Sequence, residues 1–149
     1  MYLRHLDERQ RKNLLVMAFE MMVADHVIRD GEKEVIEALK QELHVPNVRR
    51  EDFANGPDLF LFRDRRSQIA AMLKLASIGF ADKEYHRMEL RMLVRYAQEF
   101  GLSLDELKTI EEWGRKHYWL VHEAEALMAR PNRGPGGEKE AQPTPPPNP

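Results

Sequence analysis

The apolar positions of this chain recur at helical spacing almost from end to end. From about Leu6 to Val23 they fall on two adjacent lines, Leu14, Ala18, Met21 and Leu15, Phe19, Met22, the pattern of a helix with one buried face. A second stretch, about Gly31 to His44, carries Val35, Ile36, Leu39 and Leu43 inward, with Asp30 at the N-cap position. Val45-Pro46 stops it, because a residue before proline is pushed out of the α region. A short helical turn over Arg50 to Ala54 fits the next segment, which Asn55-Gly56-Pro57 then breaks. Long helices follow from about Phe60 to Phe80, with Ile69, Met72, Leu73, Ala76 and Phe80 inward, and from His86 to Phe100, which Gly101 closes. Ser103 and Glu106 have the spacing of a capping box that opens a last helix to about Met128. Its inward line is Leu107, Ile110, Trp113, His117, Leu120 and Leu127, and Gly114 leaves room for a close helix crossing. No segment alternates with the two-residue period of a strand. The pattern predicts an all-α domain over residues 1–130, a single bundle of about five to seven helices.

Within that pattern one phrase occurs twice. Ala24-Asp25, Ile28 and Glu32 return as Ala81-Asp82, Tyr85 and Glu89, at a constant interval of 57 residues (25 to 82, 32 to 89). The register holds beyond the phrase: Val35 falls on Met92, Ile36 on Leu93, Leu39 on Tyr96 and Leu43 on Phe100. Two related helix-turn-helix units are the simplest explanation. Two repeats are too few for a solenoid, so the expectation is one domain with two related halves about a pseudo-two-fold axis.

The repeated acids carry the candidate chemistry. In each copy the Asp falls where one helix ends and the Glu in the first turn of the next. A Glu near a helix N-terminus meets the positive end of the macrodipole, whereas an Asp at a C-terminus faces unpaired carbonyls, a mismatch of about 0.3–1 kcal/mol. Repeating that mismatch points to a bound cation. Asp30, Glu34, Glu84 and His86 stand close by in the sequence. Oxygen ligands select a hard ion, Ca²⁺ or Mg²⁺, over Zn²⁺. The site is not an EF-hand, whose Asp-rich loop is missing here. The competing reading needs no metal: these acids cap the following helices or pair with Arg29, Lys33, Lys83 or Arg87.

The doubled phrase, with Arg65 and Arg66 before the second copy and Gly101-Leu102-Ser103 after it, resembles the tellurite-resistance TerB-like domain over roughly residues 10 to 128. The resemblance implies an all-helical domain of two related helical halves. It implies a divalent-metal site whose acids fall on Asp25, Glu32, Asp82 and Glu89; Asp30, Glu84 and His86 are lesser candidates from their place beside those turns, outside the resemblance. It further implies a role in bacterial stress response and tellurite resistance, through protein complexes with membrane-associated members. The family usually has Gly directly after each Asp; here those positions hold His26 and Lys83.

Composition narrows the remaining classes. The 23 basic and 25 acidic residues are interleaved, for a formal net charge of −2, without the basic stripe of a nucleic-acid binder. There is no Cys, which excludes disulfides, thiolate metal sites and thiol nucleophiles. The charged start, MYLRHLDERQRK, has no apolar run of the signal-peptide kind, and no stretch has the roughly 18 to 20 consecutive apolar residues of a membrane span. A cytoplasmic protein is expected, with protein partners and peripheral association to membrane complexes left open. His117 and His122 fall on different helix faces, and the Met residues sit at core spacing. The run from Phe60 to Arg66 either meets an anionic partner or buries both Phe60 and Phe62 at a helix start. No phosphate loop, nucleophile elbow or Ser-His-Asp grouping occurs, so no enzymatic activity is expected. Residues 131–149 contain no large apolar side chain and are expected to be a disordered Pro-rich tail. A metal-free adaptor, recognising proteins through a helical groove or this tail, is the alternative function.

Overall fold

The computed structural model describes residues 2–24, 30–80, 87–131 and 145–147, with only the backbone described at 30–32 and 87–89. Among the described residues there are six α-helices and no strand: α1 (Glu8–Met22), α2 (Asp30–Leu43), α3 (Arg50–Ala54), α4 (Arg65–Gly79), α5 (Arg87–Glu99) and α6 (Leu104–Ala129). Two 3₁₀ turns, Tyr2–His5 and Leu59–Leu61, lead into α1 and α4. No helix among the described residues is long and apolar enough to cross a membrane. The tail expected at 131–149 lies mostly outside the described residues.

The interval of 57 residues reappears in the helices themselves. α1 and α4 share it at both ends (8 to 65, 22 to 79), and α2 and α5 share it at their starts (30 to 87). Their caps follow. The Asp7 carboxylate accepts the Gln10 N–H at 2.8 Å, and Asp64, at the equivalent place, accepts the Ser67 N–H at 2.7 Å. Each satisfies an amide that the first helical turn leaves unpaired. Val23 and Phe80 close the two helices with nearly the same backbone angles, φ −89 and −94. α2 and α5 both end in a left-handed residue, His44 (φ 54) and Gly101 (φ 71).

The packing crosses between these stretches. The leading turn packs on α4, the second turn packs on α1, and α1 contacts α4 and α5. The Gln10 amide, itself buried, donates to the Leu61 carbonyl at 2.9 Å. The core is continuous, with Leu14, Leu15, Met17 and Met21 from α1 meeting Ala71, Met72, Leu75 and Ala76 from α4 and Leu93 and Tyr96 from α5. Met supplies adaptable filler there. α6 lies along α4 at Gly114, where an added methyl would stand 2.7 Å from Phe80 Cδ2 and 3.1 Å from Ala76.

Several expectations change. Val35 is 37% exposed, because Leu39 and Leu43 carry the inward side of α2. Phe62 is buried but Phe60 is 91% exposed, since the 3₁₀ turn separates them and α4 starts only at Arg65. Asp30 is itself the first residue of α2 and not the residue before it. Ser103 caps α6 by accepting the Glu106 N–H at 3.1 Å, while the Glu106 carboxylate reaches Arg65 at 3.0 Å. Leu120 and Leu127 are not inward: they are 64% and 56% exposed. Periodicity reports that a face is apolar, but only the length of the neighbouring helix decides how far it is covered.

Candidate functional site

The first acidic turn is entered from α1 and left through α2. α1 winds as far as Met22, with the Val23 N–H closing it onto the Phe19 carbonyl at 3.0 Å. α2 begins at Asp30. Glu32 therefore sits in the first turn of a helix, as its spacing predicts, and Glu89 occupies the same place in α5 (Arg87–Glu99). The side chains of Asp30, Glu32 and Glu89 are not described, and Asp25, Asp82, Glu84 and His86 lie outside the described residues altogether. The structure thus fixes the frames that flank the two turns and not the convergence of their acids.

Beside the first turn the described side chains form an apolar groove of about 410 Å³. Phe19, Met22 and Val23 of α1, Ile36 of α2 and Phe53 of α3 line it, with Lys33 and Glu37 at the charged positions. Phe19 and Phe53 pack ring to ring at 4.7 Å and an interplanar angle of 57°, a tilted contact favoured by the ring quadrupoles. α3 is held in place by its own polar network. The Asp52 carboxylate accepts the Arg49 N–H at 2.8 Å and pairs with Lys12 of α1 at 3.1 Å. These contacts, the backbone donor foremost, hold the Asp52 carboxyl below the usual carboxylate range.

One turn of α1 further from that end, Glu20 enters a buried junction. The Tyr96 hydroxyl of α5 donates toward Glu20 Oε1 at 2.8 Å and the Met17 carbonyl at 3.2 Å. Burial first, and the adjacent Glu20 carboxylate second, push the Tyr96 phenol far above its ordinary value. The ring stays neutral and acts as a donor that ties α5 to α1. Next to it Arg95 reaches Glu99 at 3.2 Å, and that hydrogen bond, with the charge of Glu20, raises the guanidinium further. This junction ties α5 to α1, and it lies next to the groove through Phe19 and Glu20 on α1.

Tyr96 holds the register position of Leu39, and both are buried. The pairing of Tyr96 with Glu20 spans 76 residues and leaves no periodic mark in the sequence. The groove is likewise not legible there, since Phe53 comes from the least regular part of the chain. The second stretch of aromatics is distributed: Phe62 packs against Phe100 at 5.6 Å, while Phe60 and Arg63 line a separate cavity of about 440 Å³ with Gln68 and Glu99. His117 stacks on Trp113 at 5.3 Å, and His122 contacts Tyr118 at 4.3 Å. In comparisons with protein-family models, curated proteins and solved structures, nothing matches the chain.

Proposed function

We propose that this chain is a non-enzymatic, TerB-like helical module of bacterial stress response that works in the cytoplasm through protein partners. In this reading it is built from two related halves and holds a divalent cation, Ca²⁺ or Mg²⁺, at the turns bearing Asp25, Glu32, Asp82 and Glu89. The observation that carries the reading is the single interval of 57 residues. It relates the acidic phrases, the bounds of α1 and α4, the Asp7 and Asp64 caps, and the left-handed ends at His44 and Gly101. Equal intervals place each Glu in the first turn of equivalent helices, where an anion is favoured and an oxygen ligand is held in a fixed frame. The exchange of leading turns, each packing on the other stretch's long helix, is what a fused pair of units produces.

A cation joining both turns would stabilise the folded chain by mass action, about 2.7 kcal/mol at a concentration one hundred times its dissociation constant. The test is a thermal melt with Ca²⁺ or Mg²⁺. The expected rise in Tm disappears when Asp25→Asn and Asp82→Asn are combined. No rise with either ion turns the reading to a metal-free adaptor. That second reading is favoured by the apolar groove between Phe19, Met22, Ile36 and Phe53, which has the size and lining of a helix- or side-chain-binding cleft.

A further inference from the structure

α6 is longer than anything it packs against. It has 26 residues against 15 in α4, and its buried residues, Leu107, Ile110 and Gly114, all lie in its first half. Beyond Gly114 the segment 115–129 runs for about 22 Å at ~1.5 Å per residue, and none of its residues is buried. Yet it keeps an apolar stripe. At 100° per residue, Leu120, Val121, Ala124, Leu127 and Met128 fall within one face about 120° wide. The four large ones are 64%, 43%, 56% and 77% exposed. Such a contiguous apolar face on a surface helix marks an association site.

We infer that a second copy of this chain covers that face, the two α6 segments crossing antiparallel about a two-fold axis near Leu120. The charges along one edge of the stripe select both partner and direction. In order they are Glu112, Lys116, Glu123 and Arg130, alternating in sign. In an antiparallel helix pair, like edges face one another, so reversal sets Lys116 opposite Glu123 of the second copy and Glu112 opposite its Arg130. All four charges find opposite partners. A parallel pair would turn this edge toward the other helix's Val121 and Met128 and leave the charges without partners. The antiparallel register also sets Leu127 of each copy beside Trp113 of the other, where the ring is only partly covered by Tyr2. An edge with equal numbers of acids and bases does not suit an anionic lipid surface, which selects basic excess.

The full chain contains no Cys, which makes a clean test available. Sedimentation equilibrium over a protein concentration series should show the mass doubling, and Leu120→Glu with Leu127→Glu should hold the chain monomeric, with the Tm that the parent shows at dilutions where it too is monomeric, since both side chains are then exposed. Under oxidation Leu120→Cys should cross-link two copies. Leu127→Cys should not, because its two copies would sit about 20 Å apart along the axis. Lys116→Glu should weaken the dimer, and adding Glu123→Lys should restore it. A monomeric mass at every concentration overturns the inference; if Leu120→Glu with Leu127→Glu then lowers the Tm below that of the monomeric parent, the face is covered within the same chain. Cross-linking as efficient at Leu127→Cys as at Leu120→Cys overturns the antiparallel arrangement.

Discussion

Tyr96 shows how one atom decides a helix contact in this protein. Its hydroxyl serves Glu20 and the Met17 carbonyl together, in a place where the ring is 1% exposed. Tyr96→Phe keeps the ring and removes its one hydroxyl proton, leaving the Glu20 carboxylate short of a donor while the Met17 carbonyl keeps its place in the α1 ladder. The expected loss is about 1–2 kcal/mol in urea denaturation, with no change in slope. Gly114 works through absence. Its missing Cβ is what lets α6 approach Ala76 and Phe80, so Gly114→Ala should cost about 1–3 kcal/mol even though alanine favours helices. Asp52 carries a pH signature. Its carboxyl is depressed in the folded chain by the Arg49 N–H and Lys12. That contribution is full above the unfolded value of about 3.9 and is lost as pH falls through the lower folded value. Asp52→Asn should therefore flatten the acid side of the stability curve below about pH 4, read as Tm against pH. A parallel decline of variant and parent would reject the assignment.

At the scale of the element, the ends of α2 and α5 are the same device made with different residues. The Val45 N–H returns to the Lys40 carbonyl at 3.1 Å and the His44 N–H to Gln41 at 3.2 Å; Leu102 and Gly101 repeat this with Ala97 at 2.9 Å and Gln98 at 3.0 Å. Both are Schellman ends, which need one residue in the left-handed region. Gly101 adopts that conformation without strain, whereas His44 brings a Cβ into it. His44→Gly should then stabilise the chain by about 0.5–1 kcal/mol, measured as a raised midpoint in urea. A loss would mean that the His44 side chain makes a contact worth more than the strain. Gly101 was legible as a helix stop because glycine is the usual residue there. His44 was not, since only the following Val45-Pro46 marked the end. The same distinction runs through the other helices. The cap at Ser103 and the short helix over 50–54 could be read locally, while the coverage of Val35, Leu120 and Leu127 depended on neighbours distant in sequence.

Across the whole molecule, the all-α class followed from periodicity alone, and the 57-residue interval found in the acidic phrases reaches out to caps and turns that no single motif revealed. The acids themselves remain a reading of sequence, because Asp25 and Asp82 lie outside the described residues and the Glu32 and Glu89 side chains are not described. The interlocked packing has a consequence of its own. If the stretches α1–α2 and α4–α5 stood side by side as separate units, each would unfold by itself. Here the leading turn rests on α4, the second turn on α1, and Tyr96 of α5 is bonded to α1, so neither stretch can open without exposing the core of the other. Both tryptophans, Trp113 and Trp119, belong to α6. Their fluorescence follows α6, where Trp113 packs on Tyr2 of the leading turn and Trp119 on Tyr118, whereas far-ultraviolet circular dichroism sums every helix. The two signals should trace one coincident urea transition with the same midpoint and slope, as a two-state domain requires. Separate midpoints, with dichroism lost before or after fluorescence, would show that the exchanged turns do not couple the stretches and that α1 and α2 form a unit of lower stability.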